Sequence, residues 1–170
     1  LIYSDLVISR KNFNYDISAN YNIISSLSKV NYYFLSSLIF TIIPILNENN
    51  IKKNKIFLKN ILYIFLFYAV ASNFFYYFFS EKLLFYFFNL NILNLKLFMM
   101  KINTSSILFT GSLIFLNYFY IKKKINFLII ILFLQILFVK FLLDIQNFED
   151  YINFIFFYNL LLFFFIAVSV

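Results

Sequence analysis

Apolar and polar positions do not alternate along this chain; long apolar runs are set off by short polar punctuation. After a polar opening stretch, residues 1–30, the runs cover residues 32–46, 56–79, 83–100, 105–121, 125–143 and 151–170. Continuous runs predict helices rather than barrel strands, whose residues alternate between lipid and lumen. A hydrocarbon core of about 30 Å takes roughly 20 residues of helix at about 1.5 Å per residue. Residues 56–79, 105–121, 125–143 and 151–170 meet that length closely enough to be predicted spans. In the first of these Lys59 sits one turn inside the start, where its stem can snorkel to the interface. Residues 32–46 are short, gain length from Val30 and Asn31, and carry Pro44, which predicts a kink or the start of the exit.

Two stretches need separate treatment. Residues 1–30 hold Asp5, Arg10, Lys11, Asp16 and many Ser and Asn, and predict a polar extramembrane arm with a short helix near residues 23–27. Residues 31–170 form the transmembrane domain. Within it, residues 83–100 contain Asn89, Asn91, Asn94 and Lys96, which a lipid-exposed helix would have to satisfy internally. Lysine collects on one side of a membrane. If Lys52, Lys53 and Lys55 share a side with Lys122, Lys123 and Lys124, an even number of crossings separates them, and residues 56–79 and 105–121 already supply two. Residues 83–100 then lie in the interface or re-enter, and the chain has about five spans; if they cross, it has six. The expectation is an all-α polytopic helical membrane protein.

Composition sharpens this picture. Of 170 residues 64% are hydrophobic and only 12% charged, against about 25% charged in soluble domains, so the chain cannot cover a water-facing surface. With no Cys and no His it has no thiol nucleophile, no iron–sulfur ligands, no imidazole for haem, and none of the usual copper or catalytic zinc sites. No cofactor is expected. The abundant residues, among them 28 Phe and 14 Tyr, have A/T-rich codons, while Gly and Pro occur once each and all the basic residues but Arg10 are Lys. An AT-biased organellar or endosymbiont genome explains this skew and weakens aromatic content as functional evidence. The net charge of +7 is spread in short clusters between apolar runs, which gives no nucleic-acid-binding face. Those lysines are expected to flank spans and to meet anionic lipid such as cardiolipin at Lys52, Lys53, Lys55, Lys122, Lys123 and Lys124.

Ionisable groups in or beside the runs are the candidates for chemistry, because charge inside a membrane is expensive and faces a bundle interior or a wet path. Lys140 lies about 22 Å into its helix at roughly 1.5 Å per residue, with Asp144 one turn on and able to pair with it. The alternative places Lys140 snorkelling and Asp144 among head groups. Glu81 is either a buried carboxylate suited to proton exchange or part of a surface turn at Ser80, Glu81 and Lys82. Gly111, the only glycine, permits close helix approach or a local bulge.

A small, cofactor-free organellar membrane protein resembles the mitochondrially encoded respiratory subunits. The His-dependent cytochrome subunits do not fit, nor does the ATP synthase proton-channel subunit with its membrane arginine. Residues 73–88, with Glu81 after an aromatic stretch, and residues 136–143, with Lys140, resemble subunit 2 of NADH:ubiquinone oxidoreductase, whole or as a fragment. That resemblance implies that Glu81 and Lys140 belong to a proton path in the membrane arm of the mitochondrial inner membrane, among other hydrophobic subunits; Asp144, one turn after Lys140, is expected as its second partner. Residues 109–116, around Gly111, are similar instead to the third-helix pattern of subunit 6. The other function class is a structural or accessory membrane subunit, in cytochrome c oxidase or ATP synthase, without proton-path residues.

Overall fold

Apolar runs interrupted by few breakers coil into helices α1 (Ser4–Asn12), α2 (Tyr15–Leu46), α3 (Ile51–Phe88), α4 (Leu95–Ile121), α5 (Ile125–Asp144) and α6 (Phe148–Val168). The computed structural model describes residues 4–46, 51–88 and 95–168, with side chains at all of these except 38–43, 45–46, 51–55 and 95. No strand occurs among the described residues. The protein is an all-α polytopic membrane protein: among the described residues Ile56–Phe88, Lys96–Ile121, Ile125–Asp144 and Phe148–Val168 are long and apolar enough to cross a bilayer. The apolar half of α2 falls largely at positions whose side chains lie outside the described set.

Polar side chains and backbone turns fix the helix ends. Asn147 accepts the Glu149 N–H at 3.0 Å, and Glu149 and Asp150 in the first turn of α6 suit the positive end of its dipole. Between α4 and α5 the Lys124 N–H reaches the Phe119 carbonyl and the Lys123 N–H the Tyr120 carbonyl, both at 3.0 Å. This is a Schellman closure, with Lys123 at φ 53° in the left-handed region. The end of α5 is closed from outside: the Asn12 amide of α1 donates to the carbonyls of Leu142, Leu143 and Ile145 at 3.1, 3.2 and 2.9 Å. These are acceptors that a helix cannot satisfy by itself.

Three elements differ from the sequence expectation. Ser80, Glu81 and Lys82 form no turn, because Glu and Lys are good helix formers and α3 passes through them unbroken. Residues 83–100 are not a unit: 83–88 complete α3 and 95–100 open α4, while Asn89, Asn91 and Asn94 lie outside the described residues. In the polar stretch, helix does not stop at residues 23–27. The stretch holds α1 and the first half of α2, which starts at Tyr15 and runs on through Pro44 to Leu46.

α4 is the hub, packed against α2, α3, α5 and α6, with α1 wedged between α2 and α5. The most apolar stretch of α4 is 56% buried, against 17% for that of α3 and of α5. Two apolar clusters stack along the bundle. One joins Leu58 and Phe65 of α3 to Phe119 of α4, Ile131 of α5 and Ile166 of α6. The other joins Tyr21 of α2, Leu84 of α3, Met99 of α4, Leu142 of α5 and Ile152 of α6. The start of α3 and the turn after α4 therefore lie at one end of the bundle, so both lysine clusters share a side with α3 and α4 between them. Aromatic stacks, Phe138 on Tyr158 at 4.1 Å and Phe127 on Phe165 at 5.5 Å between centroids, hold α5 to α6. Gly111 of α4 sits where a Cβ would come within 2.7 Å of the Phe163 ring, so its missing side chain lets α6 approach.

Candidate functional site: a polar cleft inside the bundle

Residues 4–12 and the first turns of α2 fold into the bundle. α1 lies in the groove between α2 and α5 with its first turn directed inward, and Asp5 in that turn pairs with Lys29 of α2 at 3.1 Å. Lys29 and Asp5 are only 12% and 16% exposed. The carboxylate also accepts from the Tyr21 hydroxyl at 2.7 Å and the Ser25 hydroxyl at 3.1 Å. The Asp5 backbone carbonyl takes the Tyr151 hydroxyl of α6 at 2.5 Å. Two hydroxyl donors and the Lys29 counter-ion let this carboxylate remain charged away from water. Burial first, and the Asp5 charge second, push the Tyr21 phenol well above its ordinary value.

Beside this pair opens a cleft of about 80 Å³, lined among others by Ser28, Ser105, Ser106, Gln135 and Asn159. Its depth follows from helix geometry. Gln135 lies about 13 Å inside α5 from its Asp144 end, and Asn159 about 16 Å inside α6 from Phe148, at roughly 1.5 Å per residue. Both belong to helices about as long as the hydrocarbon core is thick, which puts the cleft near the middle of the membrane-level bundle. Asn159 ties α6 to α4 through the Ser105 hydroxyl at 2.7 Å.

One turn further along α2, a second polar group joins three helices. Asn103 of α4, fully buried, accepts from Asn31 of α2. It donates to Ser72 and Asn73 of α3 at 3.1 and 3.0 Å. The Tyr68 hydroxyl donates to Asn31 at 2.5 Å, and the Asn73 amide to Thr104 at 2.7 Å. Every partner is neutral, so this cluster fixes register rather than moving charge.

The residues singled out from sequence lie elsewhere. Glu81, Lys140 and Asp144 are all exposed, and the one ion pair among the described residues is Lys29 with Asp5. Glu81 on α3 and Lys140 on α5 are not brought together: α3 packs on α4, while α5 packs on α1, α4 and α6. Lys140 and Asp144 share the last turns of α5 without pairing. Glu81 is about 37 Å along α3 from Ile56, beyond a core of roughly 30 Å that starts there. Pro44 is exposed inside α2. Of the lysines expected to meet lipid, Lys122, Lys123 and Lys124 form the α4–α5 turn, with the Lys124 ammonium 5.1 Å from the Phe119 ring. Lys52, Lys53 and Lys55 occupy the first turns of α3, their side chains outside the described set.

Among the described residues no three acidic groups gather as a metal site requires. Asp5 and Lys29 escaped the sequence reading because they stand in a segment whose overall polarity assigns it to water. Ser18, Tyr21, Ser25 and Ser28 carried a signal, since steps of three and four residues put them on one face of a helix. Searches against protein-family models, curated proteins and solved structures find no match to this chain.

Proposed function

We propose that the chain is a membrane subunit of a mitochondrial respiratory complex, with the membrane arm of NADH:ubiquinone oxidoreductase as its setting, and that it packs and braces that arm. The observation that carries this reading is the unequal coverage of its helices. α4 is enclosed, whereas α3 and α5 leave broad apolar faces uncovered, Phe67, Val70 and Phe74 on one and Ile129, Phe133 and Ile136 on the other. Faces of this kind suit contact with further membrane helices and lipid. The exposed, unpaired placement of Glu81 and Lys140 favours bracing over a proton path made of those two. Peptide mass spectrometry of intact respiratory complexes, separated under native conditions, tests the setting. The chain is expected in the NADH:ubiquinone oxidoreductase band, and its absence from that band overturns the assignment.

The Asp5–Lys29 pair favours a second reading, proton translocation through the chain itself, because charged partners inside a membrane bundle commonly belong to an ion path. Under that reading Lys29→Met lowers proton pumping in an assembled complex, whereas Lys140→Met leaves it unchanged. Normal pumping by an assembled Lys29→Met complex returns the role to bracing alone.

A further inference from the structure

The cleft beside Asp5 and Lys29 has a lining that its own side chains do not satisfy. Gln135 is 7% exposed and lines the cleft, yet it makes no hydrogen bond among the described residues. Asn159, equally buried, spends its amide N–H groups on Ser105 and on the Ile155 carbonyl at 2.7 and 2.9 Å. No described donor reaches its side-chain carbonyl. Ser106 adds a hydroxyl at the margin. Buried amides are normally hydrogen-bonded, to protein or to ordered water, and an apolar occupant would leave these groups unpaired.

We propose that this cleft is a hydration site: a small cluster of ordered water bridges Gln135 and the Asn159 carbonyl to Ser106 and to the Asp5–Lys29 pair. Three features select water over other occupants. The volume of about 80 Å³ accommodates several waters, each of which needs at least about 10–15 Å³ of accessible space. The lining offers donors and acceptors together, which suits a molecule that is both. Its charges cancel between Asp5 and Lys29, so the site has no bias toward an anion or a cation. Water there keeps the ion pair in protic contact at a depth where lipid surrounds the outer helices.

Water-edited solid-state NMR on the full chain reconstituted in phosphatidylcholine vesicles tests this directly. Proton polarisation from water should reach the side-chain amides of Gln135 and Asn159 about as fast as that of Asn147, which caps α6 at the bundle end. It should reach the Leu132 methyl groups, 60% exposed on α5, several-fold more slowly. In Gln135→Leu the transfer to Asn159 should slow, because one anchor of the cluster is gone. If the wild-type Gln135 and Asn159 amides build up as slowly as Leu132, or show contacts to acyl chains, the proposal is overturned. That comparison stands even if Gln135→Leu does not fold. The proposal rests on the bundle and not on the complex that contains it, so its failure and the failure of the respiratory assignment are separate results.

Discussion

Asn103 is the residue on which three helices depend, and replacing it with leucine tests how α2, α3 and α4 are held. Leucine keeps the branched shape of asparagine and is somewhat larger, so the change removes hydrogen bonds without opening a cavity. Asn31, 6% exposed, loses the acceptor for its amide and has no route to water. Asn73 loses one donor but keeps its bond to Thr104 at 2.7 Å. Ser72 is half-buried and can turn its hydroxyl elsewhere. Interhelical hydrogen bonds inside membranes average about 0.6 kcal/mol, with a maximum near 1.7, because the unfolded chain in the membrane also finds partners. A buried polar group with no partner costs about 1–3 kcal/mol. Two bonds near the average plus one stranded Asn31 amide give a loss of about 2–4 kcal/mol.

The assay is reversible unfolding of the purified chain in mixed micelles, with each variant compared at its own midpoint. Asn31→Leu and the double variant Asn31→Leu/Asn103→Leu complete a thermodynamic cycle. Removing both partners strands fewer groups than removing one, so the double loss should fall below the sum of the single losses by at least about 1 kcal/mol. A loss under about 0.5 kcal/mol for Asn103→Leu, the size of an ordinary surface change, would refute the claim that this network fixes the register of the three helices. Strict additivity in the cycle would refute the direct coupling of Asn31 to Asn103.

Three further outcomes follow from the geometry. Gly111→Ala should lower stability by about 1 kcal/mol, since moving a buried Phe163 ring costs about 1–3 kcal/mol against a helix-propensity gain of about 1; thermal unfolding of Gly111→Ala with and without Phe163→Leu checks it, and only the pair should recover. Lys123→Gly should raise stability by about 1 kcal/mol by relieving the left-handed backbone at φ 53°, whereas Lys123→Val should lower it in the same assay. The raised phenol of Tyr21 contributes stability that is complete below the ordinary tyrosine value of about 10 and is lost as pH rises above it, because only the unfolded chain then gives up that proton readily. Unfolding midpoints scanned upward from pH 9 should therefore fall less steeply in Tyr21→Phe, and an unchanged slope would sink this account.

The fold class was legible because membrane helices declare themselves by length and continuity of apolar residues, and α5 and α6 fall within a few residues of the runs that predict them. Boundaries set by packing were harder to read. Nothing local distinguishes Ser80, Glu81 and Lys82 as helix interior from the same residues as a turn; α3 continues because no glycine or proline breaks it there. The polar cleft was hard to read for a related reason. Glu81 and Lys140 drew notice as charges among apolar neighbours, yet such neighbours along the chain make a lipid-facing or interfacial position as readily as a buried one. Asp5 and Lys29 look ordinary among serines and asparagines, and only the return of α1 into the groove between α2 and α5 removes them from water. What commits α1 to that groove is visible at its other end, where Asn12 closes the carbonyls of α5 from more than a hundred residues away in the chain. That bond, the Tyr151 hydroxyl on the Asp5 carbonyl and the buried Ile8 insert the helix together. Within residues 4–30 the polarity therefore divides: Asp5, Tyr21, Ser25, Ser28 and Lys29 supply the polar lining of the bundle, while Arg10, Lys11 and Asp16 face outward.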